Sequence, residues 1–309
     1  MLNSLFILTV SLFLVVKGAT LATKYAGKLA TGFNLSKYTV GFIIVAVISI
    51  LPETFVAINS AIEGSPSFGL GVLFGGNVAD LTLIFSIIIL FAGRNIKIES
   101  SILKNNKIFP ALLLLPIILG LDGNYSRIEG ASLIVAGVIF YYLSLKKGIA
   151  GILIKNEESS RFKSSMMLLL SLALLLIGSH FAVTSATSVA EYLKINPILI
   201  GMFVVGLGAT MPELLFSLKS VKKNDDSLAV GDILGTVLAD ATIVVGILAL
   251  ISPFSFPQKI VYSAGIFMVT ASVILFRFMN SGKNISKKEA MSLFIFWLAF
   301  VIAELFLSN

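Results

Sequence analysis

The chain has 309 residues, of which 57% are hydrophobic and 13% charged, with a formal net charge of +7 and a mean hydropathy of +1.00. Its apolar residues come in runs of about 20, which excludes an ordinary soluble domain. With no cysteine and a single histidine, His180, a disulfide framework, a thiolate metal site and a multi-histidine metal cluster are excluded too.

In chain order, ten apolar segments are predicted as membrane helices: 3–23, 37–62, 67–92, 108–121, 128–146, 164–190, 196–220, 227–252, 259–277 and 287–307. The first, LNSLFILTVSLFLVVKGATLA, has neither a basic stretch before its apolar run nor a small-residue cleavage site, so it reads as a retained helix. The fourth is short, and the second and seventh contain Pro52 and Pro212. Nineteen of the 23 Lys and Arg fall on the odd-to-even connections, against Arg127, Lys194 and Lys259 on the other side and Lys17 inside the first helix. The positive-inside bias puts those basic connections in the cytoplasm and both termini outside. The basic excess is therefore topology information and indicates no nucleic-acid partner.

Self-comparison at an offset of 160 aligns Gly18 with Gly178, Gly41 with Gly201, Pro52 with Pro212, Glu53 with Glu213, Gly71 with Gly231, Ala79 with Ala239 and Asp80 with Asp240, without a gap. The expected architecture is an all-α membrane protein of ten helices. A first five-helix repeat spans 1–150 (signature 41–86), a cytoplasmic linker 151–163, and a second repeat 164–309 (signature 201–246). Five is odd, so the halves cross the membrane in opposite directions. Inverted repeats of this kind are used by secondary transporters, with the site near the midplane where broken helices meet.

The repeated residues carry chemistry. Pro52 has no N–H and clashes with the carbonyl four residues back, so the carbonyls of Ile48 and Ser49 lose their normal partners; Pro212 does the same to Gly208 and Ala209. Each proline is followed by a glutamate, which delivers an anionic ligand beside freed carbonyls. Asp80 and Asp240 follow Gly76 and Thr236 by four residues, one helical turn on one face. Oxygen-only ligation by several carboxylates suits a hard cation such as Ca²⁺. Four acids cannot all stay ionised in an empty low-dielectric site, so protons are expected to compete with the cation.

The stretches VAVISILPE and VGLGATMPE, with GGNVAD and GTVLAD, resemble the paired signatures of the Ca²⁺/cation antiporter superfamily, in its sodium/calcium exchanger branch. That signature runs G-T-S-x-P-E, then G-S-N-x-x-N/D. The resemblance implies an antiporter exchanging Ca²⁺ for Na⁺ by alternating access, with the first and sixth helices sliding across the core. It is no enzyme and uses no cofactor; its partners are inorganic cations and the lipid bilayer. Carried over, Glu53 and Glu213 are the Ca²⁺ ligands, Asp80 and Asp240 flank the centre, and Ser49, Thr210, Thr236 and the Ala209 carbonyl supply neutral oxygens. The chain departs from the pattern at Ile48, which replaces a glycine, and at Ile50, Gly76, Ala209 and Val237, where hydroxyls or an amide are lost. These losses keep proton-coupled divalent exchange open as an alternative.

Lys17, one turn from the cytoplasmic end of the first helix, reads as a snorkelling residue or as a tethered ammonium that balances the carboxylates. His180 reads as an interfacial or interhelical hydrogen-bonding residue, Asp232 as a dipole partner at the start of the eighth helix, and Glu304 as interfacial. A five-plus-five-helix metabolite exporter fits the length but leaves four acids at equivalent depths unexplained. A channel leaves the duplicated broken helices unexplained, and an aspartyl protease needs a G-x-G-D motif that AVGD lacks.

Overall fold

The computed structural model describes residues 2–29, 45–98, 108–147 and 161–307. The described residues of the first half form α1 (Leu2–Leu29), α2 (Ala46–Ser49), α3 (Leu51–Ile62), α4 (Pro66–Ala79), α5 (Phe85–Ala92), β1 (Ile96–Lys97), α6 (Ile108–Leu119), β2 (Asn124–Tyr125) and α7 (Arg127–Lys147). The second half forms α8 (Arg161–Leu193), α9 (Pro197–Ile200), α10 (Leu207–Ala209), α11 (Met211–Lys222), α12 (Asp226–Ala239), α13 (Val245–Ile251), β3 (Phe254–Ser255), α14 (Gln258–Asn280), β4 (Asn284–Ile285) and α15 (Lys287–Leu307). Among the described residues, eight helical stretches are long and apolar enough to cross a membrane, and Ala46–Ile62 and Ile108–Leu119 are shorter apolar helices. The first and sixth helices run beyond their predicted ends at 23, 164 and 190. Their polar ends, including Lys24 and Lys163, continue the helix outside the apolar run. Most of the predicted linker lies outside the described residues; Arg161 to Lys163 already belong to α8.

Two rods make the centre. The most apolar window of Pro66–Ala92 is 89% buried and that of Asp226–Ile251 is 83% buried, against 22% for Lys287–Leu307. A helix that is apolar all round and buried all round belongs at the middle of a bundle. The outer helices instead expose large apolar side chains such as Phe6, Ile128 and Phe306, a surface suited to contact with lipid.

The rods approach their neighbours through glycine. A Cβ on Gly71 would stand 2.6 Å from the Ile198 carbonyl oxygen, and one on Gly201 2.7 Å from that of Phe68. Gly18 and Gly178, equivalent in the repeat, both lie in the α1–α8 seam, where added Cβ atoms would meet the Ser171 and Ser11 carbonyls at 3.0 and 3.1 Å.

Strand pairing crosses between the halves. β1 pairs antiparallel with β4, and β2 with β3. By sequence position β4 is the counterpart of β2, so the two ladders exchange roles as a two-fold relation between halves requires. Two hydrogen-bonded strands lie on the same side of a membrane, so an even number of crossings must separate them. Six apolar segments separate β1 from β4 and four separate β2 from β3, in keeping with the predicted alternation.

Next to β1, Arg94 grips Asp226 with both terminal nitrogens at 2.7 Å and reaches the Val221 carbonyl, while the Lys97 N–H also donates to Asp226. The Asp226 side chain is 7% exposed and that of Arg94 35%. Replacing Arg94 with Ala strands a nearly buried carboxylate and should cost about 2 kcal/mol, less than a fully buried pair because Arg94 is partly solvated. Lys at this position should recover only part, since it cannot make the two-pronged contact. Thermal unfolding of the purified variants in detergent reads this directly.

Candidate cation site

The helix breaks fall at the two prolines. Ile50 (φ −66°, ψ −6°) and Thr210 (φ −77°, ψ −1°) end α2 and α10, and new helices start at Leu51 and Met211. Proline in the first turn of a new helix costs nothing, since that N–H has no intrahelical partner. Glu53 and Glu213 therefore sit in first turns, at the positive ends of helix dipoles. The expectation for the freed carbonyls is modified at Ile48 and Gly208, which each accept an N–H of the tightened turn.

Among the described residues, the π-helical segments Asp80–Ile84, Gly201–Gly206 and Asp240–Val244, which the periodicity does not signal, interrupt the bundle. Asp80 and Asp240 each open one. Thr82 and Thr242 back-bond to the carbonyls of Val78 and Leu238 at 2.5 and 2.6 Å, which satisfies i−4 acceptors in a widened turn.

Ser49, Glu53, Asp80, Ala209, Thr210, Glu213, Thr236 and Asp240 are all buried. Both carboxylate oxygens of Glu53, Asp80 and Glu213, with one of Asp240 and the Thr236 hydroxyl, are buried without a hydrogen-bond partner. Glu53 acts electrostatically on Glu213 and feels Asp240, Asp80 and Asp232; Glu213 also feels Asp80, and Asp240 feels Asp80. Each orphaned buried oxygen costs about 1–3 kcal/mol, and more if charged, and a hard cation supplies what they lack. Among the described residues no group of three or more His, Asp or Glu is gathered closely enough to hold an ion, so ligation requires these side chains to move together.

Two residues read differently in the structure. Asp232 does not start its helix: α12 begins at Asp226, and Asp232 is wholly buried, accepting the Ser49 hydroxyl at 2.9 Å through Oδ1. Two acids just before Asp232 in sequence, Asp225 and Asp226, take the helix start. Glu304 is wholly buried, opposite Ser263, because α15 turns its face inward there. His180 is interhelical: its Nδ1 is 3.0 Å from Glu63 Oε1. Beside it the Asn59 amide donates to Ser179 at 2.6 Å, so α8 is tied to α3 twice. Asn77 and Ser217, each with an unpartnered buried oxygen, were not singled out by sequence reading. Ser217 follows Glu213 by four residues, a spacing that could have marked it.

Lys17 is not brought to the acids. It is exposed, its ammonium 5.5 Å from the Phe13 ring centroid. Replacing Lys17 with Met should leave the ion dependence of transport unchanged, measured as flux against cation concentration in proteoliposomes.

The sequence profile of the sodium/calcium exchanger protein family matches this chain twice, over residues 3–146 and again over 163–306. The chain belongs to that family. It is thus a multi-pass membrane protein and a cation exchanger rather than an enzyme. It is 28% identical over 266 residues to the putative antiporter CaxA of Alkalimonas amylolytica, covering 82% of each chain. With the sodium/calcium exchanger MaX1 of Methanosarcina acetivorans it shares 23% identity over 341 residues, covering 96% of this chain and 97% of that one. The solved structure of the sodium-calcium exchanger NCX_Mj superposes with a TM-score of 0.72 at 21% identity, covering 97% and 98% of the two chains, which establishes the shared fold.

Proposed function

We propose that this family member exchanges Ca²⁺, or a similar divalent cation, for Na⁺ by alternating access. Glu53, Glu213, Asp80 and Asp240 hold the divalent ion, and Ser49, Thr210, Thr236 and the Ala209 carbonyl supply neutral oxygens. The halves 1–150 and 164–309, joined by 151–163, are inverted in the membrane, with both termini outside. One observation carries the reading: carboxylates with orphaned buried oxygens stand at two broken helices and two π turns that repeat at an offset of 160. The α1–α8 pair suits the role of sliding gate, because Leu12 of α1 lies against Gly208 beside the second break, 2.9 Å from where a Cβ would be.

Proton coupling is the second reading, favoured by Ile50, Gly76 and Ala209, which lack the hydroxyls of the family signature. Uptake of radioactive Ca²⁺ into proteoliposomes under imposed Na⁺, K⁺ or pH gradients separates the two. The first reading expects uptake driven by an outward Na⁺ gradient at constant pH. Uptake that follows the pH gradient alone moves the assignment to proton coupling.

A further inference from the structure

His180 and Glu63 make a contact that the cation centre does not use. Glu63 caps the end of α3, ten residues past Glu53 and so about 15 Å from it along the helix, on the side that the proposed topology places outside. Its Oε1 is 3.0 Å from His180 Nδ1 of α8, and the Glu63 and His180 side chains are 34% and 45% exposed, open enough for protons from solvent to reach them. One turn before Glu63, the Asn59 amide donates to the Phe55 carbonyl at 2.9 Å and to the Ser179 hydroxyl at 2.6 Å. Gly64, at φ +73°, closes the helix in the left-handed region. The negative end of the α3 dipole therefore adds to the pull of Glu63 on a protonated imidazole.

These contacts sit beside the α1–α8 seam. Gly178, the neighbour of Ser179, is the residue whose added Cβ would meet the Ser11 carbonyl of α1, so whatever holds α8 here holds the pair. The repeat supplies an internal control. The counterparts of Asn59, Glu63, Ser179 and His180 are Lys219, Lys223, Ala19 and Thr20: two lysines stand for the amide and the acid, and Thr20 gives its hydroxyl to the Val16 carbonyl of its own helix at 2.7 Å. The fastening is one-sided. The elements packed on α8 are α1, α3, α9 and Gly201–Gly206. Of these, α9 and Gly201–Gly206 contain no titratable residue, and α1 contains Lys17, Lys24, Tyr25 and Lys28. Because Gly18 meets Ser171 while Gly178 meets Ser11, the two helices run antiparallel, and α1 from Lys17 onward lies along the part of α8 before Gly178. On α3 the acids are Glu53 and Glu63, and on α8 itself Arg161, Lys163, Glu191 and Tyr192 are all eleven or more residues from His180. Glu63 is thus the charge that faces the imidazole.

We propose that Glu63 and His180 form a proton-sensitive latch that fastens the α1–α8 pair to α3 and closes that side of the path to the carboxylates more firmly in acid. A neutral imidazole gives Glu63 one N–H hydrogen bond, and protonation adds charge to the same contact. Only the closed arrangement holds the two groups together, so protonation stabilises that arrangement alone. Lowering the pH through the range in which histidine gains its charge shifts the population toward closure. A partly exposed ion pair changes such a ratio by about two- to fivefold, which biases the gate without locking it. The latch rests on the alternating-access reading for what it gates.

The chain has no cysteine, so spin labels on Leu121→Cys and Tyr192→Cys, two exposed positions on the same proposed side, read the distance between α8 and the core in the full chain without background. Between about pH 8 and pH 5, the population at the separation seen in this structure should grow about two- to fivefold relative to the rest. His180→Gln keeps a hydrogen bond but cannot titrate, and should hold the ratio near its alkaline value at every pH. His180→Lys carries a fixed charge and should hold it near the acid value, while Glu63→Gln should remove the response. Cooperative thermal unfolding like that of the wild type certifies that each variant is folded. Titration of the buried carboxylates would move the wild type and His180→Gln alike, so an equal response in both overturns the latch, as does a wild-type ratio that ignores pH. A response that depends on His180 in a protein that moves no Ca²⁺ in proteoliposomes leaves the latch standing and defeats the exchange reading instead.

Discussion

Replacing Glu213 with Gln should abolish measurable Ca²⁺ binding and exchange, a loss of about 100-fold or more, with Glu53→Gln behaving alike. Both carboxylates are buried, both have two unpartnered oxygens, and each stands at the start of a helix that a proline has forced to begin anew. Gln preserves shape and one acceptor oxygen but removes the charge that balances a divalent ion in a low-dielectric interior. A lost charged contact of this kind is worth several kcal/mol, and 1.4 kcal/mol is tenfold in affinity. The same change removes one of four crowded, unpartnered acids from the empty site, so the variants should be no less stable to heat than the wild type without Ca²⁺. Calorimetry for binding and thermal unfolding for stability separate the two effects. A variant that binds Ca²⁺ normally removes its glutamate from the site.

The second large effect is structural. Gly71→Val should cost about 3 kcal/mol or more, since its Cβ alone would stand 2.5 Å from the Ile198 side chain and 2.6 Å from the Ile198 carbonyl, and backbone cannot yield as a side-chain tip can. Gly201→Val meets the Phe68 carbonyl on the same seam. Separating α4 from the Gly201–Gly206 segment would displace Asp80 relative to Glu213, so stability and Ca²⁺ affinity should fall together. Thermal unfolding with and without Ca²⁺ checks this: the stabilisation by Ca²⁺ should shrink in the variants. Wild-type unfolding in both would mean that the seam is looser than these distances indicate.

The legible and illegible parts of this molecule divide by physical cause. Pro-Glu and Ala-Asp repeat at a fixed spacing in apolar surroundings, so the duplication and the four carboxylates stood out from the sequence pattern. The many apolar helices followed from the apolar runs, eight of which are long enough among the described residues to cross a membrane. The π turns at Asp80 and Asp240 left no trace because one extra residue in a turn hardly alters the apolar pattern of a helix buried on every face. Strands of two residues, such as Ile96–Lys97, are too short to show alternation. Asp232 was misread because polarity near a helix start suggests a cap, and only the fold brings Ser49, 183 residues away, to its carboxylate. Glu304 likewise needed the packing of α15 to show which way it turned.

Crystals grown with Sr²⁺, a heavier stand-in for Ca²⁺, give the most direct test of the central assignment. The anomalous difference map should show its main peak among the carboxylates of Glu53, Glu213, Asp80 and Asp240, drawn together around the ion, and Glu213→Gln should erase it. A main peak elsewhere, or one that persists in Glu213→Gln, would contradict the assignment of these four acids as the divalent cation site.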